Sequence, residues 1–174
     1  MGFFQKLFGK SDAPSPAQPQ PSAGPIQIFA PVAGQAVPIT QVSDPTFGEK
    51  ILGDGIAIKP SEGKIFAPCD GKVDMMFETG HAVSLASDGG AEILIHVGLD
   101  TVELKGKHYT IHAHSGDKVK KGDLLMEFDV EAIVAAGYDV ITPVVICNSD
   151  DYSAIRPFAD KAVAPGELIL ELEK

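Results

Sequence analysis

Two segments of this 174-residue chain occur twice, and the repetition constrains its fold more than any other feature. IFAPVAGQAV (28–37) returns as IFAPCDGKVD (65–74), and VKKGDLLMEF (119–128) returns as VAPGELILEL (163–172). Gly122 then matches Gly166, and Glu127 matches Glu171. Two kinds of motif, each used twice, imply a duplicated unit related by a pseudo-twofold axis. From residue 26 onward, short runs of Val, Ile and Phe are separated by Gly, Asp and Pro every eight to twelve residues. That rhythm predicts an all-β fold, an antiparallel β-sandwich or barrel-sandwich hybrid with internal duplication and little helix. Only EAIVAAG (131–137) has helical character.

The chain ahead of this body reads differently. MGFFQKLFGK (1–10) sets Phe3, Phe4, Leu7 and Phe8 at helical spacing beside Lys6 and Lys10. It is either an amphipathic leader with weak membrane-surface contact or an unstructured start. Residues 11–25, rich in Pro, Ala and Ser, read as a flexible linker that cannot bury a core. The domain proper is 26–174. It holds the acidity, since Lys6, Lys10 and Asp12 are the only charged side chains before it, and the chain's net charge is −10. That balance argues against nucleic acid and for a basic protein partner. Cys69 and Cys147 share no motif spacing, as expected of reduced thiols in a cytosolic protein. No apolar run approaches the roughly 18 residues of a membrane span. The expected location is cytoplasmic, peripheral at the inner face of the membrane.

GHAVSLASDGGAEILIHVGLDT (80–101) carries two histidines around a glycine-rich turn. Asp88-Gly89 predicts a type I′ hairpin, in which both central residues need φ > 0. That register pairs Leu85 with Glu92, Val83 with Leu94, and His81 with His96. Directly opposed Cβ atoms stand roughly 4.5–5.5 Å apart, so the two imidazoles would meet. A three-residue loop would slip the register by one and turn one histidine away. The plain reading of such a pair is a stacked core contact. The functional reading is a shallow apolar depression that leaves one imidazole nitrogen free as a nucleophile. No G-x-S-x-G elbow and no phosphate-binding G-x-x-x-x-G-K-S/T loop is present. Two chemistries stay open. His81, His96 and one carboxylate could hold zinc, with the His112-x-His114 pair as further ligands, or an imidazole could carry a phosphoryl group while its neighbour steadies the oxygens.

ILIHVGLDTVELKG (93–106), GDGIAIKP (53–60), ETGHAVSL (78–85), GDKVKKGDLLMEFD (116–129) and TPVVICN (142–148) together resemble the glucose-type enzyme IIA family of the bacterial phosphoenolpyruvate:sugar phosphotransferase system. The resemblance runs from about residue 26 to the C-terminus. It implies a phosphocarrier, a phosphohistidine-dependent phosphotransferase that takes its phosphoryl group from phospho-HPr and passes it to a cysteine on the IIB domain of a sugar permease. The phosphoacceptor of that family's H-x-G-x-D-T motif falls on His96. The partner imidazole falls on His81, with Thr79 orienting it and Gly98 and Asp100 completing the site. An apolar docking collar maps onto Phe47, Ile51, Leu52, Phe77, Val97 and Val102, with Asp44 and Asp100 facing arginines of HPr. Regulated transporters or kinases are further partners the resemblance admits. It implies no required cofactor, and zinc at His81 and His96 only with a carboxylate from a partner. His108, His112 and His114 fall outside the family motif and read as solvated strand histidines.

Two other classes compete. A zinc hydrolase of lysostaphin-like architecture would use His96 with Asp100 and His112 with His114, but only 11 residues separate Asp100 from His112. A biotin or lipoate carrier would need an acceptor lysine beside Met126, and LLMEFD has none.

Overall fold

The computed structural model describes residues 24–174, so the expected leader at 1–10 and nearly all of the linker at 11–25 lie outside the described residues. Every strand pairing in the described part is antiparallel. One eight-stranded sheet carries, in spatial order, β13 (Lys161–Val163), β2 (Gly34–Pro38), β3 (Asp54–Pro60), β11 (Thr142–Ile146), β7 (Glu92–His96), β6 (Ala82–Ser87), β5 (Gly71–Met76) and β9 (Lys118–Val119). Two three-stranded sheets complete the sandwich. One is β1 (Ile26–Phe29), β14 (Leu168–Glu173), β12 (Ala154–Pro157); the other is β4 (Lys64–Phe66), β10 (Leu124–Phe128), β8 (Tyr109–Ile111). Among the described residues helix is confined to α1 (Pro45–Gly48), α2 (Val130–Ala135) and three 3-10 turns.

The repeats reappear as a pseudo-twofold. Each copy of IFAP pairs with the other motif's distant copy, β1 with β14 and β4 with β10. The backbone bonds match. Phe29 N–H donates to the Pro68 carbonyl (2.9 Å) and Phe66 N–H to the Pro31 carbonyl (2.7 Å). Gly122 N–H reaches Ala67 (2.9 Å) as Gly166 N–H reaches Ala30 (3.0 Å). In the large sheet the order on either side of the β11–β7 pair mirrors itself, so the axis passes between those two strands.

Period-two alternation explains which faces are buried. Ile93 and Ile95 on β7, with Val83 and Leu85 on β6, point between the sheets into the main core with Ile56, Ile58, Val144 and Ile146. The opposite face of β3 and β11 buries Ala57 and Val145 in a smaller cluster with Val37, Ile39, Val42, Phe47, Leu99 and Ile141. Asp44 caps α1 by accepting from Thr46 N–H (2.9 Å), with Pro45 in the first turn. This short cap seats Phe47 on the outer face, beside the end of β7.

The β6–β7 hairpin departs from the expected register. Gly90 N–H donates to the Ser87 carbonyl (3.0 Å) and Ser87 N–H to the Ala91 carbonyl (2.8 Å), which leaves three residues in the loop. Positive φ occurs at Gly90 (98°) and at neither Asp88 nor Gly89. A type I turn closed by a left-handed glycine is the three-residue solution, and the second glycine of the Gly89-Gly90 pair supplies it. Val83 therefore faces Ile95, Leu85 faces Ile93, and Ala82, not His81, faces His96.

Candidate functional site

The slip does not part the histidines. Their rings lie edge to face with centroids 5.0 Å apart and planes at 79°. His96 is the last residue of β7, on the outer face with Leu94. His81 stands just before β6, opposite Val97, whose N–H donates to the His81 carbonyl (2.7 Å). A turn immediately precedes it, closed by Gly80 N–H to the Phe77 carbonyl (2.8 Å), with Gly80 at φ 73°. Side-chain direction there is set by the turn and no longer by strand alternation, so His81 swings toward its partner.

Four rings stand in a row. Phe47 packs against His96 (5.0 Å between centroids, 49°), His96 against His81, and His81 against Phe77 (5.4 Å, 72°). Apolar neighbours disfavour imidazolium. Burial, then the adjacent His96, pushes the His81 pKa down to about 4. His96 is also held below the ordinary histidine value by burial, opposed by the Gly98 carbonyl and the carboxylates of Asp44 and Asp100. Both rings are neutral near pH 7.

Neutral imidazole has one N–H, and its position decides the chemistry. His96 Nδ1 faces the Gly98 carbonyl at 2.7 Å. A carbonyl only accepts, so the proton sits on Nδ1 and Nε2 keeps its lone pair. His81 Nδ1 bonds the Thr79 hydroxyl. Gly98 takes φ 88°, where a Cβ would lie 2.5 Å from Thr101 Cγ2 and 3.0 Å from the Asp139 carbonyl. Gly98 and Leu99 N–H groups are tied to the carbonyls of Ile141 (3.1 Å) and Asp139 (2.9 Å). Asp100, exposed and at φ 58°, precedes the 3-10 turn Thr101–Leu104.

The expected collar divides. Ile51 (69% exposed), Leu52 (41%) and Val102 (51%) are open to solvent, and Phe77 is half-buried. Phe47 is buried, touching His96 from below. Val97 is corrected outright. Alternation along β7 sends it inward with Ile93 and Ile95, where it is fully buried in the main core and offers no docking surface. The site also uses two groups the sequence reading did not single out. Thr101 and Tyr109 hydroxyls both donate to the Val97 carbonyl, at 2.7 and 2.8 Å. Thr101 follows Asp100 in the same motif and could have been suspected. Nothing in the sequence ties Tyr109 to Val97.

Among the described residues no three His, Cys, Asp or Glu side chains gather as a metal site. His112 pairs with Glu127 (2.7 Å), so the ligand set of the lysostaphin-like reading does not assemble. Both cysteines are free, Cys69 buried and Cys147 exposed. No helix among the described residues is long and apolar enough to cross a membrane.

Comparison with known proteins agrees with this fold. Residues 26–152 match the family model described as phosphoenolpyruvate-dependent sugar phosphotransferase system, EIIA 1. The chain is 41% identical to the glucose-specific EIIA component of Haemophilus influenzae across the full length of both. It is 51% identical over 150 residues, 84% of its length, to the beta-glucoside-specific EIIBCA component of Dickeya chrysanthemi. There it covers 24% of the relative, and it spans about a quarter of the other EIIBCA proteins it matches. Among solved structures, glucose permease IIA from Mycoplasma capricolum superposes with a TM-score of 0.77 at 28% identity, covering 84% of this chain and 95% of that one.

Proposed function

Because this chain belongs to the EIIA 1 family of the phosphoenolpyruvate-dependent sugar phosphotransferase system, we propose that His96 is its phosphoacceptor, charged by phospho-HPr and discharged to a cysteine of a permease IIB domain. As an EIIA it is a phosphotransferase component. The observation that carries the residue assignment is the His96 Nδ1–Gly98 carbonyl bond, which leaves Nε2 as the nucleophile. Its lone pair attacks phosphorus in line as the donor imidazole's N–P bond breaks. In the second half-reaction a IIB thiolate attacks phosphorus and the His96 N–P bond breaks. His81, accepting a hydrogen bond from the Thr79 hydroxyl at Nδ1, carries its proton on Nε2 and donates a hydrogen bond from it to a phosphoryl oxygen. Donor and acceptor are phosphorylated imidazoles of similar energy, so the protein's task is positioning.

Exposed Ile51, Leu52 and Val102 form the apolar part of the docking face, with Asp44 and Asp100 meeting basic residues of HPr. The permease is of the glucose or beta-glucoside kind, after the relatives' names. The location is cytoplasmic, with residues 1–10 touching the inner membrane surface. Zinc has a place only between His81, His96 and a partner's carboxylate. Incubation with phosphoenolpyruvate, enzyme I and HPr should yield acid-labile, base-stable phosphate that maps to the peptide holding His96. Phosphate mapping to any other residue would overturn the assignment.

A further inference from the structure

We propose that the Tyr109 hydroxyl is a positioning residue that holds His96 in its reactive tautomer by fixing the turn both histidines share. The segment Val97–Gly98 is that turn. Val97 N–H binds the His81 carbonyl, and the Gly98 carbonyl binds His96 Nδ1–H. Between them lie the Gly98 N–H, bonded to the Ile141 carbonyl, and the Val97 carbonyl, whose two acceptor positions are taken by Thr101 and Tyr109. The Val97–Gly98 peptide is rigid and planar, so pinning its oxygen sets its plane and limits how the Gly98 carbonyl can turn.

Tyr109 is placed for this from two directions. It begins β8 opposite Phe128, and their rings stack at 6.4 Å and 28°. Its Cβ lies against Gly80, where an added Cβ would come within 3.1 Å. One residue therefore braces the turn before His81 with its stem and the turn after His96 with its hydroxyl. The phenol is half-buried and burial raises its pKa, so it stays a donor. Thr101 can reach Val97 through its own short loop. Of the two donors to that carbonyl, Tyr109 is the one that comes from the opposite sheet.

The proposal rests on His96 as acceptor for its effect on transfer, but its structural part is testable without any phosphoryl group. Tyr109→Phe keeps the ring, the Phe128 stack and the Gly80 contact while removing one hydrogen bond. Ring 15N shifts of His96 in unphosphorylated protein should show a reduced Nδ1–H population in the variant. The rate of acceptance from phospho-HPr should fall roughly 3- to 10-fold through the rate constant, with KM unchanged because the docking face is untouched; tenfold is about 1.4 kcal/mol. Thr101→Val should move the same signature, and the double variant should exceed either. An unchanged His96 signature in Tyr109→Phe, whether or not the melting temperature drops, would reduce Tyr109 to a packing residue and overturn the proposal. If the signature moves while phosphate maps elsewhere than His96, the acceptor assignment fails and the bracing role stands.

Discussion

Four of the chain's five histidines fall in two regions whose surroundings differ. His81 and His96 lie in a row of aromatic rings, one buried and one half-buried, with no carboxylate within salt-bridging distance. His112 and His114, expected on a strand, lie exposed just past the end of β8, and His112 spends its Nε2 on Glu127. The first environment keeps imidazole neutral and one nitrogen unshared. The second occupies the nitrogen. Reactivity here is assigned by what surrounds the ring, since the ring itself is the same.

The sharpest way to break that comparison is to remove one ring at a time. His96→Gln should abolish phosphoryl acceptance, because no other group near the site offers a nucleophilic nitrogen with a free lone pair. Retained acceptance near the wild-type rate would end the distinction between the two regions. His81→Gln should separate the half-reactions. An amide still donates one hydrogen bond, so acceptance from HPr should survive, while transfer to IIB falls because that donor is no longer held in place by Thr79. One preorganised donor is typically worth roughly 10²–10³ in rate. Rapid-quench measurement of both steps tests this, and equal losses in each would contradict it.

The scaffold was legible because it was written twice. The repeats and the alternation of β6 and β7 point to a duplicated antiparallel sandwich, and the pairings of β1 with β14 and β4 with β10 are its realisation. The histidine pair was legible for a reason only half right. Asp88-Gly89 is a strong two-residue signal, but Gly90 offers a left-handed position one residue later, and the three-residue loop wins. The rings meet through the turn at Phe77–Gly80 instead of through direct cross-strand opposition. Val97 needed no slip to be read, since it shares the parity of Ile93 and Ile95 and faces the core with them. Tyr109 was illegible since its bond to Val97 joins two sheets, and no periodicity within either strand reports it.

Acidity probes the buried region by a separate route. The folded-state pKa of His81 is depressed from 6.5 to about 4. Between those values the unfolded chain binds a proton that the folded chain refuses, so the neutral pair is fully compatible with folding above about pH 6.5 and costs stability as pH falls toward 4. Urea unfolding at pH 7 and pH 5 should show a loss in wild type that shrinks in His81→Gln. An identical loss in the variant would mean His81 titrates freely. Acceptance by His96 should decline at lower pH than it would for an ordinary histidine, because burial also disfavours protonation of that ring.

The smallest effect belongs to the other region. His112 and Glu127 side chains are 36% and 39% exposed, so their ion pair is solvated and screened by salt. It joins no residue of the ring row, and β8 keeps its ladder to β10 through backbone bonds whatever the side chain does. His112→Gln should therefore change stability by at most about 0.5 kcal/mol, with the difference fading at high salt. Both phosphoryl half-reactions should run at wild-type rates. Yet β8 also holds Tyr109, two residues before its end, which makes the variant a sensitive control. If His112→Gln slowed acceptance tenfold, the exposed histidines would be coupled to the site through that strand. The two regions would then be parts of one device, and local surroundings alone would no longer account for which imidazole reacts.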